Sequence, residues 1–145
     1  GDFEDMNKGL TTAQAFIDQG ADVILPVAGQ VGEGAARAAL DSGTASIIWV
    51  DSDGYDTLSP DFRPVLLTSV LKNTGSAVVE IVKTSIDDTF DNAPFIGTLE
   101  NGGVGIAPFH DLAPRVSAEL SAEIDQLRSD IVAGTIVVTS PSTPR

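Results

Sequence analysis

The spacing of apolar residues along the chain predicts an alternation of helices and short strands. Apolar residues recur at helical spacing in four segments, which predicts helices over residues 7–19, 31–42, 74–86 and 116–131. Gly20, Gly43 and Gly134 follow three of these segments, and glycine commonly stands where a helix ends. The helices can thus be outlined from periodicity and their stop signals alone.

Short apolar runs between the helices predict the strands. These runs lie at residues 22–27, 45–50, 65–69, 94–99, 104–107 and 135–139. Asn101-Gly102-Gly103 predicts a tight turn between two of them, whereas Gly54, Pro60 and Pro64 predict a loop over residues 54–64. With no internal repeat and no linker, the order of elements predicts one α/β domain.

Two of the strands end in groups that a small polar ligand would use. The strand at 22–27 runs into Gly29, and the strand at 45–50 ends at Asp51-Ser52-Asp53. The helix between them completes a βαβ unit with a right-handed connection. Because ligands of open α/β sheets sit outside the carboxyl ends of the strands, this edge is predicted to form a binding crevice.

Charge and composition narrow the kind of ligand. The 145 residues carry 21 acidic and 8 basic side chains, a formal net charge of -13. Such a surface repels the phosphate backbone of nucleic acids and anionic lipid headgroups, so the expected ligand is small and neutral or cationic. The absence of cysteine excludes disulfides, thiol catalysis and thiolate metal sites.

The glycines at positions 29, 32 and 34 stand where the second helix begins. Their order is not that of the dinucleotide fingerprint, and no lysine follows them as in a phosphate-binding loop. Glu33 would also repel a phosphate. Close backbone packing explains the glycines as well as a binding role does; the functional alternative is a polar ligand that contacts the backbone of Ala28 and Gly29.

Asp51 and Asp53 admit three interpretations. Two carboxylates at a strand end can share a hard cation, although nothing nearby in the sequence completes a coordination sphere. A carboxylate can instead accept hydrogen bonds from two sugar hydroxyls, or the pair can serve as a turn and a helix cap. Asp51 is the better ligand candidate because it lies directly at the strand end.

Three other side chains are candidates for a functional role. Lys72 follows a strand at the start of a helix, which suits either a ligand donor or an ordinary surface lysine. His110 is the only histidine, and without a nucleophile motif it is interpreted as a loop histidine with no chemistry. Trp49 alternates with Ile48 and Val50, so it is predicted to pack against the sheet.

The chain resembles the C-terminal part of the basic membrane protein family. The resemblance is carried in order and at matching spacing by GDFEDMNKG (1–9), QGADVI (19–24), VAGxxGxG (27–34), VDSD (50–53), LTSVLK (67–72) and GGVG (102–105). Members of this family are lipoprotein substrate-binding components of ABC transporters, and the characterised type binds purine nucleosides. The resemblance implies the type I periplasmic-binding-protein-like fold, a parallel-sheet three-layer sandwich with ligand clasped between two lobes.

The resemblance also implies the site residues. Asp51 would bind the ribose hydroxyls, and Lys72 would contact the ligand from the end of its strand. Val27, Ala28 and Gly29 would form the wall of the cleft, with Phe3 lining it from the preceding strand end. Asn73 stands where a basic residue often follows the lysine, and the first-lobe residues that would contact the base are not in this chain.

The same resemblance implies the organisation and partners. Residues 1–139 would form the second lobe, with 73–90 packing against the first lobe, and 140–145 would be a disordered tail. The opening residues read like the end of a strand, so upstream strands, an export signal and an N-terminal lipid anchor are expected outside this chain. The protein would be an extracytoplasmic lipoprotein at the cell membrane that serves an ABC permease, without catalysis or cofactor.

Two alternatives stay open at this point. One is a metal-dependent enzyme that handles a sugar nucleotide through Asp51 and Asp53. The other is the ligand-sensing domain of a transcriptional regulator, which would need a DNA-binding segment upstream.

Overall fold

The computed structural model describes residues 3–141 of the chain. The α-helices are α1 (Met6–Asp18), α2 (Val31–Ser42), α3 (Gly54–Thr57), α4 (Thr74–Ile86) and α5 (Ala118–Val132). The strands are β1 (Val23–Ile24), β2 (Ser46–Asp51), β3 (Leu66–Lys72) and β4 (Val104–Ile106), and 3₁₀ helices cover Pro60–Val65 and His110–Arg115. Of the disordered tail predicted over residues 140–145, residues 142–145 lie outside the described part.

The chain divides into two compact units. The first unit holds the described residues up to Leu71 together with Ile106–Arg115, and the second holds Lys72–Gly105 with the described residues from Val116 onward. The division falls inside β3 and β4, so each unit takes part of both strands. The single domain predicted from the order of elements stays a prediction.

The sheet has the order β1-β2-β3-β4. Strands β1 and β2 are parallel, with Val23 opposite Ser46, and β2 and β3 are parallel, with Asp51 opposite Leu71. Parallel pairing brings the carboxyl ends of successive strands to the same edge. The predicted βαβ unit, β1–α2–β2, is thereby confirmed.

The core of the first unit is built from small residues on α2 and larger ones on the strands. Ala36 and Ala39 of α2 and Ile47 of β2 are fully buried. Trp49 is only 8% exposed, and a Cβ atom added to Gly32 or Gly54 would come within 2.9 Å of it. The prediction that Trp49 packs against the sheet is confirmed, and the two glycines leave room for its ring.

Helices α1 and α2 approach each other closely at Gly9 and Gly34. A Cβ atom at Gly9 would overlap the carbonyl oxygen of Val31, and one at Gly34 would overlap that of Met6. Because these are backbone atoms, the helices would have to move apart to admit any side chain. Close packing therefore explains Gly34, which the sequence left open between packing and ligand binding.

Replacing Gly34 with alanine should destabilise the first unit by about 1–3 kcal/mol or more, the usual cost of overpacking a tight core. The matched control is Gly75→Ala in α4, where an added Cβ meets nothing within 4 Å; alanine is the better helix former there, by up to about 1 kcal/mol. Urea denaturation measures both changes. Equal stability of the Gly34→Ala variant and the unsubstituted chain would refute the close-packing explanation.

The second unit leaves its helices exposed. Neither α4 nor α5 has a buried residue within the described part of the chain. On α4, the apolar residues Val78, Ile81, Val82 and Ile86 are 44–74% exposed. The four residues of the predicted stripe are therefore all exposed.

Three segments differ from the sequence prediction for local reasons. The loop predicted over residues 54–64 contains α3 and a 3₁₀ helix, because Asp53 and Ser59 supply N-terminal caps to them. Strand β1 is shorter than predicted because Pro26 lacks an N–H and its carbonyl accepts from the Ala28 N–H in a turn. Strand β3 runs on to Lys72, past its predicted end.

Two predicted strands are absent from the described part of the chain. Residues 94–99 lie next to the predicted turn, where the Asn101 side chain bonds the Thr98 and Gly103 N–H groups and the Ile96 carbonyl. Those bonds replace a ladder between strands. Residues 135–139 likewise form no strand, and Val137 and Val138 are 74% and 70% exposed.

Candidate functional site

The backbone that follows β1 contacts the backbone of Phe3. The Val31 N–H donates to the Phe3 carbonyl at 3.2 Å, and a Cβ atom on Gly29 would come within 3.0 Å of the same oxygen. The structure thus brings together Phe3 and Gly29, two of the residues predicted for the site. The side chains of Phe3 and Val27 are 67% and 76% exposed, and Ala28 lines an apolar groove of about 300 Å³ beside α1.

Asp51 ends β2 in an uncommon backbone conformation. Its φ angle is 68°, and the Ser52 N–H closes a three-residue turn onto the Val50 carbonyl at 2.9 Å. Few residues other than glycine adopt positive φ, although aspartate does so more readily than most. The turn presents the exposed Asp51 at the carboxyl edge of the sheet, the predicted position, and its role as a ligand group stays a prediction.

Asp53 has a different task from Asp51. One carboxylate oxygen of Asp53 accepts from the Tyr55 N–H at 3.1 Å, which caps α3. The other oxygen lies 2.7 Å from Nε2 of His110. The cap interpretation therefore holds for Asp53, and the residues that the structure describes contain no cluster able to bind a metal ion.

His110 was interpreted from the sequence as a loop histidine, but the structure gives it specific neighbours. It begins a 3₁₀ helix, and its ring stacks on Tyr55 with centroids 4.1 Å apart and planes 13° apart. The Arg63 guanidinium lies 4.4 Å from the centre of the Tyr55 ring. No sequence signal links His110 to Asp53, since 57 residues separate them.

Tyr55 is held at its hydroxyl by Asp111. The hydroxyl donates to the Asp111 carboxylate, with both oxygens at 3.1 Å. This hydrogen bond, followed by desolvation and by the negative charge of Asp111, raises the pKa of Tyr55 above its usual value of 10.0, while Arg63 lowers it. The phenol therefore keeps its proton, and its bond to Asp111, through the neutral range.

The raised pKa of Tyr55 can be measured directly because Tyr55 is the only tyrosine in the chain. We expect its absorbance titration to have a midpoint above 10.0, with Asp111→Asn moving the midpoint down and Arg63→Gln moving it up. The stabilisation from this bond is complete below the unfolded-state pKa and is lost as pH rises through the raised folded-state pKa. Circular dichroism confirms folding during the titration; an Asp111→Asn midpoint equal to the original would contradict the assignment.

Lys72 is the last residue of β3 and the first of the second unit. Its side chain is exposed. The neighbouring Asn73 donates its N–H to the Gly103 carbonyl at 2.9 Å and its side-chain amide to the Gly102 carbonyl at 2.6 Å. The predicted turn at residues 101–103 thus fixes the backbone that follows Lys72, a role for Asn73 that the sequence did not reveal.

The chain is similar to known substrate-binding proteins. A family model described as "Bmp: ABC transporter substrate-binding protein PnrA-like" matches residues 1–142. The chain is 33% identical over 144 residues to Basic membrane protein A of Borreliella burgdorferi, covering 97% of this chain and 40% of that protein. It is 31% identical over 142 residues to Basic membrane protein A1 of Borrelia garinii subsp. bavariensis, covering 95% and 40%. The chain thus spans about 40% of the length of the curated relatives it matches.

Solved structures show the same fold at low sequence identity. An ABC transporter solute-binding protein from Aeropyrum pernix K1 matches with a TM-score of 0.79 and 22% identity over 98% of this chain and 46% of that chain. One from Conexibacter woesei gives 0.75 and 20% over 96% and 44%. A transcriptional activator of the comK gene from Bacillus halodurans gives 0.77 and 19% over 96% and 46%. These matches confirm the predicted periplasmic-binding-protein-like α/β fold.

Proposed function

Because this chain belongs to the Bmp family of PnrA-like ABC transporter substrate-binding proteins, we propose that it is the second lobe of a receptor that binds a nucleoside for an ABC importer. A first lobe upstream would complete the receptor, the two-lobed protein. The nucleoside, most simply a purine nucleoside, would lie between the lobes, and their closure would create the surface that an ABC permease recognises.

The observation that carries the proposal is the position of Asp51 at the carboxyl edge of the sheet in the first unit. The proposed site would combine this carboxylate with the neutral backbone of residues 27–29. A carboxylate accepts hydrogen bonds from two adjacent hydroxyl groups, as on a ribose, and neutral backbone groups suit an uncharged ligand. The net charge of -13 favours a nucleoside over a nucleotide, because it repels phosphate.

The proposed ligand contacts are Asp51, Lys72 and the wall made by Phe3, Val27, Ala28 and Gly29. Lys72 would donate to the ligand from the end of β3. The exposed apolar stripe of α4 would be covered by the first lobe, which would account for its exposure in this chain. Asn73 would shape the backbone beside Lys72 through its bonds to residues 102 and 103.

We propose that the protein works outside the cytoplasm and is held at the membrane by a lipid anchor on a segment outside this chain. No helix in the described part combines the length and the hydropathy that a membrane crossing needs. The role is binding alone, with no bond made or broken. Family membership supports this function over a metal-dependent enzyme and over a regulator's sensing domain.

Thermal unfolding of the two-lobed protein tests the proposal. A ligand that binds only the folded state at about 100 times its Kd adds ~2.7 kcal/mol of stability. Inosine, guanosine or adenosine without metal should therefore raise the melting temperature by several degrees. Stabilisation that requires Mg²⁺ or Mn²⁺ with a sugar diphosphate would support the enzyme instead, and no response to any nucleoside would refute the proposal.

A further inference from the structure

The geometry points to His110 and Asp53 as positioning residues that hold the turn carrying Asp51. The consequence for ligand affinity rests on the proposed function. The consequence for the turn itself does not, because the conformation of residues 51 and 52 can be observed without ligand.

The turn at Asp51 needs support from outside itself. Its central φ of 68° and the bond from the Ser52 N–H to the Val50 carbonyl at 2.9 Å define a tight three-residue turn. Turns of this kind with positive central φ are rare and strained. A strained backbone persists only where surrounding contacts hold it, and such sites are often functional.

Asp53, two residues after Asp51, is held by three separate elements. Its Oδ2 lies 2.7 Å from His110 Nε2, its Oδ1 accepts from the Tyr55 N–H at 3.1 Å, and the Ser69 hydroxyl of β3 approaches Oδ1 at 3.5 Å. The side chains of His110 and Asp53 are only 23% and 19% exposed. Because water has limited access to this pair, its hydrogen bond can restrain the chain more than an exposed one would.

His110 is itself fixed to β3 and to the aromatic ring beside it. Just before it, the Ala107 N–H donates to the Ser69 carbonyl at 2.9 Å, and the Thr68 hydroxyl donates to the Ala107 carbonyl at 2.6 Å. On the other side its ring stacks on Tyr55. A short chain of contacts therefore runs from β3 through His110 and Asp53 to the turn at Asp51.

A buried bond closes the same loop beside Asp53. The Gly54 N–H donates to the Ser69 hydroxyl at 3.0 Å. Residues 53 and 54 are thus both hydrogen-bonded to Ser69, and Asp51, the last residue of β2, lies only two residues before this anchor. Loss of the His110 contact removes the shortest of the hydrogen bonds that hold Asp53 and Gly54 in place.

The experiment compares His110→Ala with His110→Gln in the two-lobed protein. Alanine removes the partner of Asp53, whereas glutamine carries an amide N–H to nearly the position of Nε2. The backbone NMR signals of Asp51 and Ser52 should shift or broaden in His110→Ala, while those of α4 (Thr74–Ile86) stay in place. Should His110→Ala fail to fold, His110→Asn replaces it, since asparagine tolerates the positive φ of 41° but is too short to reach Asp53.

Calorimetry with inosine provides the second measurement. Release of the turn should weaken binding roughly 5- to 30-fold in His110→Ala, and His110→Gln should restore most of the affinity. In an Asp51→Asn background the further loss from His110→Ala should shrink to less than about twofold, because residues acting through one another are not additive.

Three outcomes would overturn the inference. Unchanged Asp51 and Ser52 signals in His110→Ala would overturn it, and so would losses from His110→Ala and Asp51→Asn that simply multiply. Normal inosine affinity in His110→Ala beside lost affinity in Asp51→Ala would overturn it while leaving the proposed function intact. If the unsubstituted two-lobed protein does not bind inosine, guanosine or adenosine, the proposed function fails, and the NMR signals alone decide the positioning role.

Discussion

Replacing Asp51 with alanine in the two-lobed protein is expected to abolish nucleoside binding or to weaken it by a factor of about 10²–10⁴. The proposed carboxylate accepts two hydrogen bonds from ribose, and bonds to a charged acceptor contribute about 1.5–3 kcal/mol each. Their joint loss of about 3–6 kcal/mol corresponds to that range of affinity. Isothermal titration calorimetry with inosine, guanosine and adenosine measures the change.

The backbone at Asp51 calls for two companion variants. Alanine fits the φ of 68° less well than aspartate, so Asp51→Asn separates the lost charge from added backbone strain. Asp88→Ala is the matched control, because Asp88 is an exposed aspartate that also has positive φ, at 53°. It should retain full affinity with a comparable effect on unfolding. Near-normal affinity in both Asp51 variants would remove this residue from the proposed site.

The 145-residue chain alone is expected to bind nucleosides feebly, with a Kd far above the micromolar range. The proposed site takes one wall from this chain and the other from the first lobe. Without the first lobe one face of the base would stay in water, so most of the apolar burial that drives ligand binding would be lost. Titration with inosine, guanosine and adenosine, beside the two-lobed protein under the same conditions, measures the difference.

Three controls make a weak result interpretable. Circular dichroism must show the helices of the isolated chain, and the Tyr55 titration reports whether the first unit is folded around Asp111. Sedimentation must show that the exposed apolar residues of α4 have not driven association, since exposed apolar patches of this kind favour it. Micromolar or tighter binding by the isolated chain would mean that the pocket lies within it, and the two-lobe proposal would have to be abandoned.

The helices show how far local pattern reaches. Predicted over residues 7–19, 31–42 and 74–86, they are found at Met6–Asp18, Val31–Ser42 and Thr74–Ile86. A helix makes its backbone hydrogen bonds within its own segment, so apolar spacing and a stop signal define it closely. The predicted strands at 94–99 and 135–139 were wrong because a strand exists only with a partner to pair with, which no local pattern specifies.

The candidate site likewise has one part that local pattern predicted and one part that it did not. Asp51 and residues 27–29 were predicted to share an edge because parallel strands joined by a helix place their carboxyl ends together, a rule that needs only the order of elements. The specific task of Asp53 was beyond that rule. It depends on His110, which is 57 residues away in the sequence and comes near Asp53 because Ala107, three residues before it, is hydrogen-bonded to Thr68 and Ser69 of β3.

The sequence by itself determined the α/β class, the family, the helices and the strand end that carries Asp51, because periodicity, turn residues and motif spacing are properties of contiguous segments. Only the tertiary structure decided that Gly34 serves helix packing, that Asp53 is a cap paired with His110, and that Asp51 sits in a strained turn. These features arise where distant segments meet. Such meetings are selected by the packing of the whole unit, and no stretch of neighbouring residues contains enough information to specify them.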